Sequence, residues 1–108
     1  MPRTEMPPGS LVMLILRVLE SGPLHGYAIA QRIHLLSREV LQVEEGSLYP
    51  ALQKMLLKGS VRAEWGQSDT GRRVRFYQLT RAGRRQLHVE LEEYQRVTRA
   101  LQSVLRTA

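Results

Sequence analysis

A chain of 108 residues and 12.4 kDa makes one domain, and its 43% of hydrophobic residues excludes disorder by composition. No cysteine is present, which excludes disulfides, thiolate zinc sites and thiol nucleophiles, and the main apolar run, Leu11 to Leu16, falls far short of the ~20 residues of a membrane span. Sixteen basic residues against ten acidic give a net charge of +6, and fourteen of the sixteen are arginine, whose guanidinium pairs bidentately with phosphate, so the expected partner is anionic.

Residues 1–9, with Pro2, Pro7 and Pro8 and no cleavage-type pattern, read as a flexible arm. The expectation is a soluble, cytoplasmic protein. Ser10 is a plausible N-cap for a first helix over Leu11 to Leu19. That segment is apolar almost all round apart from Arg17, so it should be largely buried. Ser21-Gly22-Pro23 ends it. A second helix follows from about Gly26 to Ser37, with Ile29, Ile33 and Leu36 as its core stripe.

The third helix is placed by Pro50, which is best tolerated in a first turn. Its start is therefore predicted at Gly46 or Ser47, with Ser47 as cap and Gly59 as stop. Leu48, Leu52, Met55 and Leu56 form the apolar stripe. Val61 to Gly66 and Arg73 to Leu79 alternate as strands, and Asp69-Thr70-Gly71 supplies turn chemistry between them. Thr80 caps a long last helix reaching to about Arg106. Its Leu87, Leu91, Tyr94, Thr98, Leu101 and Leu105 are spaced as a heptad seam, with Val97 and Val104 beside it.

The charge follows this plan. Residues 1–60 carry a net +1 and residues 86–108 a net of zero. Residues 61–85 carry Arg62, Arg72, Arg73, Arg75, Arg81, Arg84 and Arg85 against Glu64 and Asp69, a net of +5. The excess thus falls on the hairpin and the start of the last helix.

The predicted fold is mainly α with a two-stranded β-hairpin. Three helices and a hairpin describe a winged helix-turn-helix over residues 10–79, and residues 80–108 form a C-terminal dimerisation helix. In such folds the second helix of the turn motif, here residues 46–58, enters the major groove of double-stranded DNA. Its free side carries Ser47, Tyr49, Gln53 and Lys54, which suit phosphates or base edges. Arg72, Arg73 and Arg75 of the hairpin suit the backbone.

Three motifs also carry a family resemblance. They are His25-Gly26-Tyr27-Ala28-Ile29; Gly46 to Leu52 followed by Lys58-Gly59; and Thr70 to Thr80 followed by Gly83. The chain resembles the PadR family of bacterial transcriptional regulators over about residues 10–88. Its length is similar to that of the short subfamily with a single C-terminal helix. The resemblance implies a homodimeric repressor, often relieved by a small molecule. An apolar effector between the two long helices is one form this would take.

Several residues have a plainer reading. Tyr49 lies at the edge of an apolar stripe. Gly26 suits close helix approach and Tyr27 suits packing. Trp65 alternates with Val61 and Ala63, which favours packing at the wing base over ligand stacking. Arg84 and Arg85 fit a solvated face or a phosphate contact equally. The heptad fits a partner helix or the protein's own first helix.

Catalysis has little support. His25, His34 and His88 lie on different elements without metal-ligand spacing, so no metal or cofactor is expected. Glu44-Glu45 and Glu92-Glu93 are adjacent pairs that do not face each other across a helix. Two rivals to DNA readout remain, a protein-interaction module and a small-molecule-binding module.

Overall fold

The computed structural model describes residues 6–7 and 9–107. Most of the predicted arm, residues 1–5 and 8, lies outside the described residues. Met6 is within them and packs against the core, so that point of the arm is tethered.

The described residues form four α-helices and a small sheet. Helix α1 spans Ser10–Val18 and continues as a single 3-10 turn, Leu19–Ser21. Strand β1 is Leu24–His25, α2 is Gly26–Leu36 and α3 is Glu45–Lys58. Strands β2, Val61–Gln67, and β3, Arg73–Leu79, form the wing, and α4 runs from Arg81 to Leu105. The sheet order is β1-β3-β2, antiparallel throughout.

The core is built as the apolar periodicity requires. Met13, Ile15, Leu16 and Val18 of α1 meet Ile29 and Ile33 of α2, Leu48, Leu52 and Met55 of α3, and Val61, Tyr77 and Leu79 of the wing base. Leu36, expected in the α2 stripe, is instead exposed. It is the last residue of its helix, where the chain has already turned away from the core.

The turn between α2 and α3 is held by side chains. The amide of Leu41 donates to Ser37 Oγ at 2.9 Å. His34 Nδ1 lies 2.9 Å from the Leu41 carbonyl, and since a carbonyl only accepts, Nδ1 carries a proton there. Arg38 and Glu39 both adopt left-handed backbone without glycine. These contacts fix the angle at which α3 leaves the body.

Three local expectations need correction. Gly9, left-handed and with no side-chain cap bond, precedes α1, so Ser10 is its first residue and not its cap. Likewise α3 begins at Glu45 after Glu44, which places Ser47 inside the first turn and Pro50 in the second. Pro50 therefore offers no N–H to the carbonyl of Gly46. Strand β1 had no counterpart in the prediction. Two residues are too few to show a period, and its pairing of Leu24 with Tyr77 and His25 with Phe76 is a long-range event.

The junction of wing and last helix is closely fitted. Thr80 caps α4 by accepting from the Gly83 amide at 3.0 Å. The Thr80 amide donates to the Ser60 carbonyl at 3.1 Å, and Ser60 Oγ is hydrogen-bonded to Gln86 Oε1. Gly83 packs so closely that a Cβ there would meet the Ser60 carbonyl oxygen at 2.1 Å.

Candidate nucleic-acid interface

The helices cover only the base of the wing. By register, Val61, Ala63, Trp65 and Gln67 share one face with Leu79, Tyr77, Arg75 and Arg73. At the base this face is core: Val61, Tyr77 and Leu79 are buried. Toward the tip the same face leaves the helices behind, and there it carries Trp65, Arg73 and Arg75.

Gly71 closes the tip with a φ of +81°, a left-handed conformation that glycine adopts without penalty. The Ser68 amide donates to the Arg72 carbonyl at 2.8 Å, and the Arg72 amide donates to Ser68 Oγ at 3.2 Å. Arg72 thus follows directly on a turn fixed by its own hydrogen bonds.

A cleft of about 870 Å³ separates the distal wing from the starts of α2 and α3. Tyr27, Gln31, Glu45 and Tyr49 line the helix side. Trp65, Arg72, Arg73, Arg75 and Tyr77 line the wing side. Four of the seven residues proposed from sequence, Tyr49, Arg72, Arg73 and Arg75, therefore converge on one cleft. Ser47, Gln53 and Lys54 are exposed on α3 but do not line it.

Two of the plainer readings fail. Tyr27 is 68% exposed and stacks on His25 with ring centroids 6.4 Å apart, so it does not pack into the core. Trp65 is 60% exposed and does not fill the wing base. The alternation of β2 showed its face correctly. It did not show how far along the strand the helices cover that face.

Gly26 does serve close approach, and the approaching group is Tyr49. The phenol packs against Gly26, remains half-exposed, and has its ionisation pushed above the usual tyrosine range. Partial burial is the main cause, followed by the neighbouring Glu45 carboxylate. At neutral pH Tyr49 therefore presents a protonated hydroxyl, able to donate to a phosphate oxygen. His25 fixes the start of α2 by accepting from the Ala28 amide at 3.3 Å, which puts its own proton on Nε2.

The exposed face of α3 carries one residue that polar reasoning passed over. Leu57 lies four residues after Gln53 and is among the most exposed apolar side chains. An apolar group beside a Gln suits the methyl of a thymine next to an adenine. Its signal in the sequence was its position opposite the Leu48–Leu52–Met55 stripe.

The basic groups of the wing stay available. Among the described residues no carboxylate forms an ion pair with Arg72, Arg73 or Arg75; Glu20, Glu92 and Glu93 pair instead with Arg17, His88 and Arg96. Among the described residues, too, no group of three or more His, Asp or Glu is arranged to hold a metal ion. No helix of the described residues is long and apolar enough to cross a membrane.

A family model described as the transcriptional regulator PadR-like family matches residues 15–89, from the middle of α1 into α4. The chain belongs to the PadR-like family. Solved structures agree with the assignment. A PadR family regulator from Clostridium difficile is 27% identical, with a TM-score of 0.77 over 90% of this chain and 99% of its own. One from Eggerthella lenta is 26% identical, with a TM-score of 0.77 over 93% and 85%. A transcriptional regulator from Clostridium thermocellum, at 23% identity and a TM-score of 0.80, shares the fold over 88% and 92%. In this PadR-like regulator, α2 and α3 are the helix-turn-helix, the hairpin is the wing, and α4 is the long C-terminal helix.

The predicted heptad of α4 divides in two. Leu87 is 2% exposed and belongs to the protomer's own core, and Leu91 packs partly against it. Leu87 is therefore not free to meet a partner helix. Tyr94, Leu101 and Leu105, with Val97 and Val104 beside them, are exposed, while Thr98 is intermediate.

Proposed function

We propose that the chain is a sequence-specific repressor that binds double-stranded DNA as a homodimer on a pseudo-palindromic operator. The observation that carries the proposal is the convergence of Tyr49, Arg72, Arg73 and Arg75 on one cleft beside the exposed face of α3. In this reading Gln53 and Leu57 meet base edges in the major groove. Ser47, Lys54 and Tyr49 meet phosphates at the groove edge, and the wing arginines grip the adjacent backbone.

The dimer is supported by the unpartnered half of α4. A helix of 25 residues is roughly 38 Å long, and its distal half exposes Tyr94, Val97, Leu101, Val104 and Leu105. Pairing two such helices would bury this seam. It would also set two α3 helices about one helical turn of DNA apart, roughly 34–36 Å. The repressor mode and relief by a small molecule rest on the family resemblance of the sequence motifs. An apolar effector would sit beside the distal seam, between the two α4 helices. A cytoplasmic location goes with DNA as the partner.

The test is titration of a labelled duplex library at several salt concentrations, followed by sequencing of the bound fraction. Enrichment of a two-fold symmetric site is the expected outcome. Absence of DNA retention even at low salt would favour a protein-interaction module instead.

A further inference from the structure

Trp65 is the only tryptophan in the chain, and it is spent on a position that buries little of it. Its ring lies 4.7 Å from the Arg73 guanidinium carbon and 5.7 Å from that of Arg75. Arg75 also lies 6.0 Å from the Tyr77 ring. The register explains the cluster: Trp65 is directly opposite Arg75 and diagonal to Arg73 on the same face.

The way these arginines are held matters for what they can do. A carboxylate partner would fix an arginine but would neutralise it and occupy its N–H donors. An aromatic face holds the flat cation and leaves both charge and edge donors free. Glu45 and Asp69 line the same cleft, yet neither forms an ion pair with Arg73 or Arg75. The Nε of Arg75 is buried without a hydrogen-bond partner, so two rings hold this side chain where no polar contact does.

We propose that Trp65 is a positioning residue for DNA binding: its ring holds the Arg73 and Arg75 guanidiniums, unpaired by any carboxylate among the described residues, in the orientation in which their terminal Nη donors meet the phosphate backbone. The inference rests on the DNA-binding reading above. It adds that affinity depends on a residue that need not touch DNA itself, because the ordering cost of two long side chains is met before binding.

Two measurements on the full chain test it. The first needs no DNA. Acrylamide quenching of Trp65 fluorescence should rise in Arg73→Ala/Arg75→Ala, because the guanidiniums no longer cover the ring. Equal quenching in the two proteins would mean no such contact and would overturn the proposal.

The second is a double-mutant cycle on duplex DNA at fixed salt. Trp65→Leu should lower affinity about tenfold, and Trp65→Phe, which keeps a π face, should recover most of it. In the Arg73→Ala/Arg75→Ala background, Trp65→Leu should change affinity less than about twofold. Additive losses would overturn the positioning role while leaving the wing as a DNA contact. If Arg73→Ala/Arg75→Ala itself leaves binding intact, the reading of the wing fails and the proposal with it. Circular dichroism melts of each variant separate these results from loss of fold, and recovery by Trp65→Phe is the signature that a merely structural role would not give.

Discussion

The hydroxyl of Tyr49 closes over Gly26: a Cβ at position 26 would stand 2.7 Å from Tyr49 Oη. This contact joins the first residue of α2 to the first turns of α3, so a backbone requirement in one helix sets the direction of the side chain that the proposed function assigns to a phosphate in the other.

Gly26→Ala should therefore separate binding from stability. The obstructing atoms are the far end of a side chain, which can swing away. Stability should change by no more than about 1 kcal/mol, while DNA affinity falls several-fold as Tyr49 is displaced. Gly83→Ala should do the reverse. Its Cβ meets a backbone oxygen at 2.1 Å, so a loss of about 1–3 kcal/mol is expected. Thermal melts and duplex titrations on both variants check the contrast.

The wing and α3 should divide affinity and specificity between them. Arg73→Ala should weaken binding to operator and unrelated duplex alike and reduce the salt slope by about one. Gln53→Ala should weaken operator binding selectively, by about 1–3 kcal/mol. If the dimer neutralises about six phosphates, affinity should fall roughly 10³-fold between 50 and 200 mM salt. A flat salt response contradicts the electrostatic grip.

The two halves of α4 call for different substitutions. Leu101 is 59% exposed and lies on the distal seam. Leu101→Glu should give folded monomers by sedimentation, with operator binding lost. Leu91→Glu would strike the protomer's own core as well and should lower the melting temperature even of the monomer. A Leu101→Glu protein that remains dimeric would place the interface elsewhere.

Tyr49 gives a pH dependence with a definite sign. Its folded-state pKa is raised, so folding favours the neutral phenol. The resulting stability is fully present below the ordinary tyrosine value of about 10 and is lost as pH rises through the higher folded value. Denaturant midpoints should fall more steeply above about pH 10 in the wild type than in Tyr49→Phe. Identical slopes would contradict the partial burial of this phenol.

Most of the architecture was legible because it rests on local periods. The Leu48–Leu52–Met55 spacing marks α3, the Thr80 cap marks the start of α4, and the Asp69-Thr70-Gly71 turn marks the hairpin. What escaped depends on tertiary extent. Strand β1 exists only through its pairing with β3. Ser47 looked like a cap because a side chain that can cap is visible in sequence, whereas Glu44, which precedes the helix without a side-chain cap bond, is not. Leu87 and Leu101 share one heptad pattern, yet one is in the core and the other in solvent. Trp65 and Val61 share one strand face, yet only Val61 is covered by the helices. In each case the period assigns the face, and the reach of the neighbouring element decides what that face meets.

The most direct test of the account is footprinting of genomic DNA with the purified protein. The predicted result is a small set of protected sites with two-fold symmetry, each having half-sites centred about one helical turn apart, and loss of that protection in Gln53→Ala. Uniform, sequence-independent protection, or protected sites without internal symmetry, would contradict a dimer that reads its operator through two α3 helices.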